Sequence, residues 1–186
     1  MTSRLTTVRA AALATAAVFM IPGAASAATC GASAESQPLA SRGSGERSAL
    51  VCLINETRKQ HHLRPLVNRP TLSSAASTWS ERLVSGGFFA HVDAAANSTI
   101  ETRDLRYTAG AYLWALGENL AWATGYRSSP RQIVTMWLAS PGHRANLLDP
   151  QWRDIGVGIA SGTPVGAAGA TYAVEFGTKW VRRLRK

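Results

Sequence analysis

Residues 154–160 read DIGVGIA. Side chains alternate across a strand, so Ile155, Val157 and Ile159 share one face while Gly156 and Gly158 share the other. The glycine face is nearly flat, and the backbone of another element can approach it closely. A second alternating run, 170–176, places Tyr172, Val174 and Phe176 on one side, and the small residues of 161–169 turn the chain between the two. A strand pair with one flat face and one bulky face is built to be covered by helices.

The helical segments come earlier. Residues 46–62 carry Ala49, Leu50, Leu53, Ile54 and Thr57 at helical spacing, with Arg47, Glu56, Arg58 and Lys59 elsewhere. His61 and His62 end this helix. They look like a metal pair, but cationic side chains are favoured at a helix C-terminus in any case. Leu72, Ala75, Ala76, Trp79 and Leu83 form the stripe of a second helix over 71–85, which Gly86-Gly87 terminates. A short helix is expected around 98–105. Ser129-Pro130-Arg131-Gln132 is a helix start, with serine as the cap, proline at the first position and glutamine closing a capping box. That helix buries Ile133, Val134 and Trp137 and stops at Pro141. Residues 110–122 are aromatic and contain Gly117-Glu118-Asn119. Helices first and hairpin strands last predict an α+β domain with helices packed on an antiparallel sheet.

Residues 1–27 read as a secretory signal segment to be removed. Arg4 and Arg9 precede an apolar run over 10–21, and Ala25-Ser26-Ala27 is a small-residue cleavage site. The apolar run falls short of the about 20 residues that span a bilayer. A secreted protein is the expectation, with a loose small-residue arm over 28–45, the folded domain over 46–180 and a basic tail over 181–186. Outside the cell thiols tend to pair, and a Cys30–Cys52 bond would tie the arm to the first helix. The alternative is two free thiols, one buried and one in the arm. Cys30 as a lipid-attachment site is disfavoured because the preceding Ala27-Ala28-Thr29 lacks a leucine.

The chain has 20 Lys and Arg against 11 Asp and Glu, a formal charge of +9. VRRLRK at the end concentrates four of the positive charges. Attraction to an anionic envelope surface is one consequence and solubility is the other. No zinc-finger, basic-zipper or RNA-binding signature accompanies the charge, so nucleic acid is not the expected partner. A monomer is expected.

Three ionisable residues follow local breaks: His91 after Gly-Gly, Glu118 after Gly117, and His143 after Pro141-Gly142. Each break re-aims the chain. Periodicity does not show whether the three converge.

The elements CLINETRKQHHLRPL, GGFFAH, GENLAW and VTMWLASPGHRANLLDPQWRDIGVGIA, in this order over 48–176, resemble the cysteine-rich secretory, antigen 5 and pathogenesis-related (CAP, or SCP-like) superfamily in its short bacterial form. The resemblance implies an α-β-α sandwich with an open cavity lined by two histidines and two acids. His91, Glu118 and His143 match three of these. Longer relatives have a glutamate where Ser140 stands and a histidine where Thr171 stands. Glu175 is a candidate for the second acid, or faces water.

The expected function is binding of a lipid, sterol-like or cell-wall ligand by a cavity formed from His91, Glu118, His143, Glu175, Asn119 and Phe89. Zinc or another divalent ion on His91 and His143 is the expected cofactor if one is used. Phe88, Phe89, Trp114 and Trp122 are candidate apolar walls, although Trp122 and Trp137 read better as core. The alternative is a zinc-dependent hydrolase acting on peptide or wall material through a His₂Glu set. Glu118 and Ser140 are its candidate catalytic residues. The compact HExxH helix and the G-x-S-x-G elbow are both missing.

Overall fold

The computed structural model describes residues 30–38 and 43–182. The expected signal segment over 1–27, part of the arm and residues 183–186 of the basic tail lie outside the described residues. No described helix is long and apolar enough to cross a membrane.

A 3-10 turn (Ala32–Ala34) precedes α1 (Ser44–Gln60). Residues 30–38 are attached rather than loose. Cys30 is bonded to Cys52, Ala34 is fully buried, and the Ser36 hydroxyl donates to Glu46 at 2.8 Å. In α1 the apolar stripe Ala49, Leu50, Leu53 and Ile54 is buried as its spacing predicts. Arg58, which the sequence places off that stripe, is buried too. Its guanidinium donates to the carbonyls of Leu147 at 2.8 Å and Asp149 at 3.0 Å, where a helix ends and a positive charge is favoured.

β1 (Val67–Asn68) leads into α2 (Pro70–Gly86), which begins with proline at its first turn and ends on Gly87 at φ 64°. That left-handed conformation suits glycine. Two four-residue helices, α3 (Ile100–Arg103) and α4 (Leu105–Thr108), replace the single short helix expected there. β2 (Ala111–Thr124) comprises the aromatic block. α5 (Pro130–Ala139) and α6 (Pro141–Leu148) follow, then β3 (Asp154–Ser161) and β4 (Gly169–Val181).

The sheet order is β1-β3-β4-β2. β3–β4 and β4–β2 are antiparallel. The two-residue β1, read from sequence as a connection and turn, pairs parallel with β3. The two faces of β3 do what their residues predict. Ile155 and Val157 join Tyr172, Val174 and Phe176 in a core roofed by α1, α5 and α6. On the other face α2 lies against the glycines. A Cβ added to Gly156 would sit 2.2 Å from the Leu72 carbonyl carbon, and one added to Gly158 would sit 2.1 Å from Ala76 backbone atoms. The result is three layers, α-β-α. The second core, Ala76, Trp79, Leu83, Leu120 and Ala173, is smaller.

The break at Pro141 is a corner between two helices rather than an exit into a loop. Pro141 is the first residue of α6, with Ser140 as its N-cap, a position that suits proline because the missing N–H would be unpaired anyway. Ser129 caps α5 by position, but its side chain makes no capping hydrogen bond, so the expected capping box does not form.

Candidate functional site

His91 lies four residues beyond Gly87, where the chain leaves α2 and turns back toward the sheet. Its Nδ1 is 2.6 Å from Glu118 Oε1 on β2. The other Glu118 oxygen accepts from Arg103 Nη2 at 2.5 Å. Arg103 also donates to the His91 carbonyl at 3.1 Å, and its guanidinium carbon stands 4.0 Å over the Trp79 ring. One arginine from α3 thus binds the acid, the histidine backbone and a core aromatic. The hydrogen bond to Glu118 raises the His91 pKa above its usual value.

Glu175, on β4, is directly opposite Glu118 in the β2–β4 register. Like charges directly opposite each other are unfavourable. Glu175 is fully buried. Neither of its oxygens has a hydrogen-bond partner, and Arg103 Nη2 lies 3.5 Å from Oε1. Burial first, then the charges of Glu118 and Asp104, hold its pKa well above that of an ordinary glutamate. Asp104 is buried beside them with both oxygens unpartnered. Burial pushes its pKa from 3.8 up to about 7. Glu175 therefore neither faces water nor reaches a cavity; it belongs to an acid cluster held under the site.

His143 reaches β2 from α6, its carbonyl bonded by Asn119. It is the third residue of α6, and its Nδ1 is 2.9 Å from the hydroxyl of Ser140, the N-cap. Burial, and then the charge of His91, lower its pKa. Asn119 is buried and donates to the His143 carbonyl at 3.0 Å. Asn146 donates to the Glu118 carbonyl at 3.0 Å and to Asn119 Oδ1 at 3.1 Å, and Trp137 Nε1 donates to the Leu120 carbonyl at 3.0 Å. β2 is the edge strand of the sheet. Side chains of α5 and α6 bond its carbonyls and so protect an edge that would otherwise invite another strand.

A hollow of about 260 Å³ opens along this edge. Phe89, Leu120, Ala121, Trp122, Met136 and Trp137 form its apolar part, and Ser140 and His143 its polar end. His91, Glu118, Asn119 and Glu175 do not line it. His91 is exposed and paired to Glu118 beside it. Of the expected aromatic walls, Phe89 and Trp122 line the hollow. Phe88 packs edge-on against Trp79 at 5.7 Å, and Trp114 is exposed elsewhere on β2. Trp137, expected in the core, is 1% exposed and also forms part of the wall.

Among the described residues no three His, Cys, Asp or Glu side chains group as a metal ion would require. Glu118 is engaged through both oxygens, one of them by a guanidinium. The His₂Glu set is therefore not assembled among these side chains. Sequence reasoning did not find Arg103, Asp104 or Asn146. Their roles depend on which strand their short helices meet, and nothing in IETRDL or HRANLL signals that.

A family model for the cysteine-rich secretory protein family, CAP, matches residues 51–175. The protein YkwD of Bacillus subtilis is 32% identical over 115 residues, covering 61% of this chain and 42% of YkwD. This chain thus matches less than half the length of that relative. Among solved structures, an outer surface protein of Borrelia burgdorferi superposes with a TM-score of 0.63 at 23% identity, covering 75% of this chain and 96% of the other. An extracellular SCP-domain protein of Bacillus anthracis superposes with a TM-score of 0.58 at 26% identity, covering 76% and 44%. The fold is that of the CAP sandwich, and the chain belongs to the cysteine-rich secretory protein family.

Proposed function

We propose that the protein is an exported binding module whose hollow at the β2 edge takes the apolar part of a lipid or sterol-like ligand. The hollow itself carries this reading. Its walls are apolar and aromatic, and its polar groups, Ser140 and His143, are confined to one end, as small-molecule sites require. At about 260 Å³ it suits one chain or ring edge rather than a whole glycan. Export is supported by the Cys30–Cys52 bond, by the apolar N-terminal segment and by relatives described as extracellular or outer-surface.

Titration with palmitate and with cholesterol, read by tryptophan fluorescence, tests the proposal. Trp122 and Trp137 line the site, so saturable quenching or enhancement is expected. Met136→Lys, at an exposed wall position, should weaken it by roughly tenfold or more, the cost of setting a charge against an apolar ligand. No saturable signal with either probe, or equal binding by the variant, refutes the reading. Hydrolysis of peptide, ester or wall substrates by the wild type that is lost in a His91→Ala, His143→Ala double variant would replace binding with catalysis.

A further inference from the structure

β2 and β4 run on together past the end of β3. β3 pairs with β4 only as far as Asp154 opposite Gly177, whereas β4 continues opposite β2 to Val181. The extension is a two-stranded ribbon. Five of the twelve exposed large apolar side chains among the described residues lie on it: Tyr112, Leu113, Trp114, Trp180 and Val181. Scattered single apolar residues are ordinary on a surface; here the register sets Leu113 opposite Trp180 on one face of the ribbon and Trp114 opposite Lys179 on the other, so exposed rings occupy both faces of its end. An isolated ribbon is marginally stable in water. This one is tied down, since the Lys179 ammonium bonds the Tyr107 carbonyl and lies 4.6 Å over the Tyr107 ring, and Tyr107 in turn donates to Asp154 at 2.8 Å.

The ribbon's own charges are basic. No acidic residue occurs over 111–117 or 176–182, while Lys179 and Arg182 do, and Arg106 precedes the Tyr107 that Lys179 touches. The Arg182 guanidinium stands 5.8 Å over the Tyr112 ring. Tryptophan and tyrosine place an apolar body and a polar tip, which suits the boundary between lipid headgroups and acyl chains. Lysine and arginine beside them are attracted to anionic headgroups. We propose that this ribbon is a docking surface for an anionic lipid bilayer, entered end-on, with Trp114 and Trp180 reaching the headgroup region from its two faces and Arg182 facing the lipid phosphates. A soluble polyanion would use the charge but gain nothing from the exposed rings. The ribbon is separate from the hollow lined by Phe89 and Met136, and the proposal does not rest on it.

The test is flotation of the protein with phosphatidylcholine vesicles made with and without phosphatidylglycerol. Binding only to the anionic vesicles is expected, together with quenching of tryptophan fluorescence when the lipid acyl chains are brominated. W114T/W180T, which keeps β-forming residues, should partition roughly tenfold less, since binding scales with the apolar area buried. R182E should partition roughly thirtyfold less, at about a fivefold effect per charge near the surface. Binding without brominated-lipid quenching would overturn the proposal, and this readout needs no variant. Parental binding by a folded W114T/W180T would do the same. So would a parent that sediments as a dimer beside a monomeric W114T/W180T, which would make the ribbon a protein interface. Palmitate titration of W114T/W180T should match the parent, so the two readings fail separately.

Discussion

Replacing Glu175 with glutamine removes one of two carboxyls that face each other across β2 and β4, with little change in volume. In the folded protein Glu175 keeps its proton above the ordinary glutamate range, because it is buried and faces Glu118 and Asp104. In the unfolded chain it releases that proton near 4.5. Between those two values the native state binds one more proton than the unfolded state at this position. Stability therefore falls as pH rises, by about 1.4 kcal/mol per pH unit for one proton. Glutamine has nothing to titrate. The stability of E175Q relative to the parent should accordingly grow with pH above 4.5, by up to about 1.4 kcal/mol for each pH unit over which Glu175 stays protonated in the fold. His91 and His143 act on both proteins alike and in opposite directions. Stability from His91, whose pKa is raised, is lost as pH rises through its folded value. The penalty from His143, whose pKa is lowered, fades as pH rises toward 6.5. The difference between the two proteins removes both contributions. Urea unfolding at pH 5, 6 and 7 with the disulfide intact measures it. Parallel stability profiles for parent and E175Q would show that Glu175 is ionised in the fold and that the acid cluster is misread.

Two further outcomes check the architecture and the site. Gly158→Ala should lower the unfolding free energy by at least about 1–3 kcal/mol, the range for overpacking, because its methyl group would meet α2 backbone at 2.1 Å; a wild-type urea midpoint would contradict helix-on-glycine packing. Glu118→Gln removes the hydrogen bond that raises the His91 pKa, so the His91 ring resonances followed by NMR should titrate at lower pH than in the parent. An unchanged titration would mean that His91 and Glu118 do not pair in solution.

The layers of the fold were legible because they rest on local periodicity. DIGVGIA specifies one bulky face and one flat face before any partner is known, and the stripe over 71–85 supplies a helix to cover the flat one. Pro130 and Gly87 fix helix ends through their own backbone preferences. The hydrophobic alternation of 170–176 likewise survives into the core as Tyr172, Val174 and Phe176. Where a residue's environment is set by distant chain, the sequence misleads or is silent. Arg58 reads as solvated and is buried, because the carbonyls it binds belong to a helix that ends 89 residues later. The 110–122 block shows no decisive period, and it becomes a strand because β4 is there to pair with it.

The same division holds for the site. His91, Glu118 and His143 could be singled out from the breaks beside them and from the family pattern, yet which of them touch depends on strand register and helix approach. Register sets Glu118 opposite Glu175 and leaves Arg103 to mediate between them. The α5–α6 corner carries His143 to the polar end of the hollow, while His91 pairs with Glu118 and does not line it. Sequence alone determined which segments could be helix or strand and which faces had to be covered, because those properties repeat over a few residues. Only the tertiary structure decided which charges are buried together and where an opening remains, because both depend on the meeting of backbones far apart in the chain.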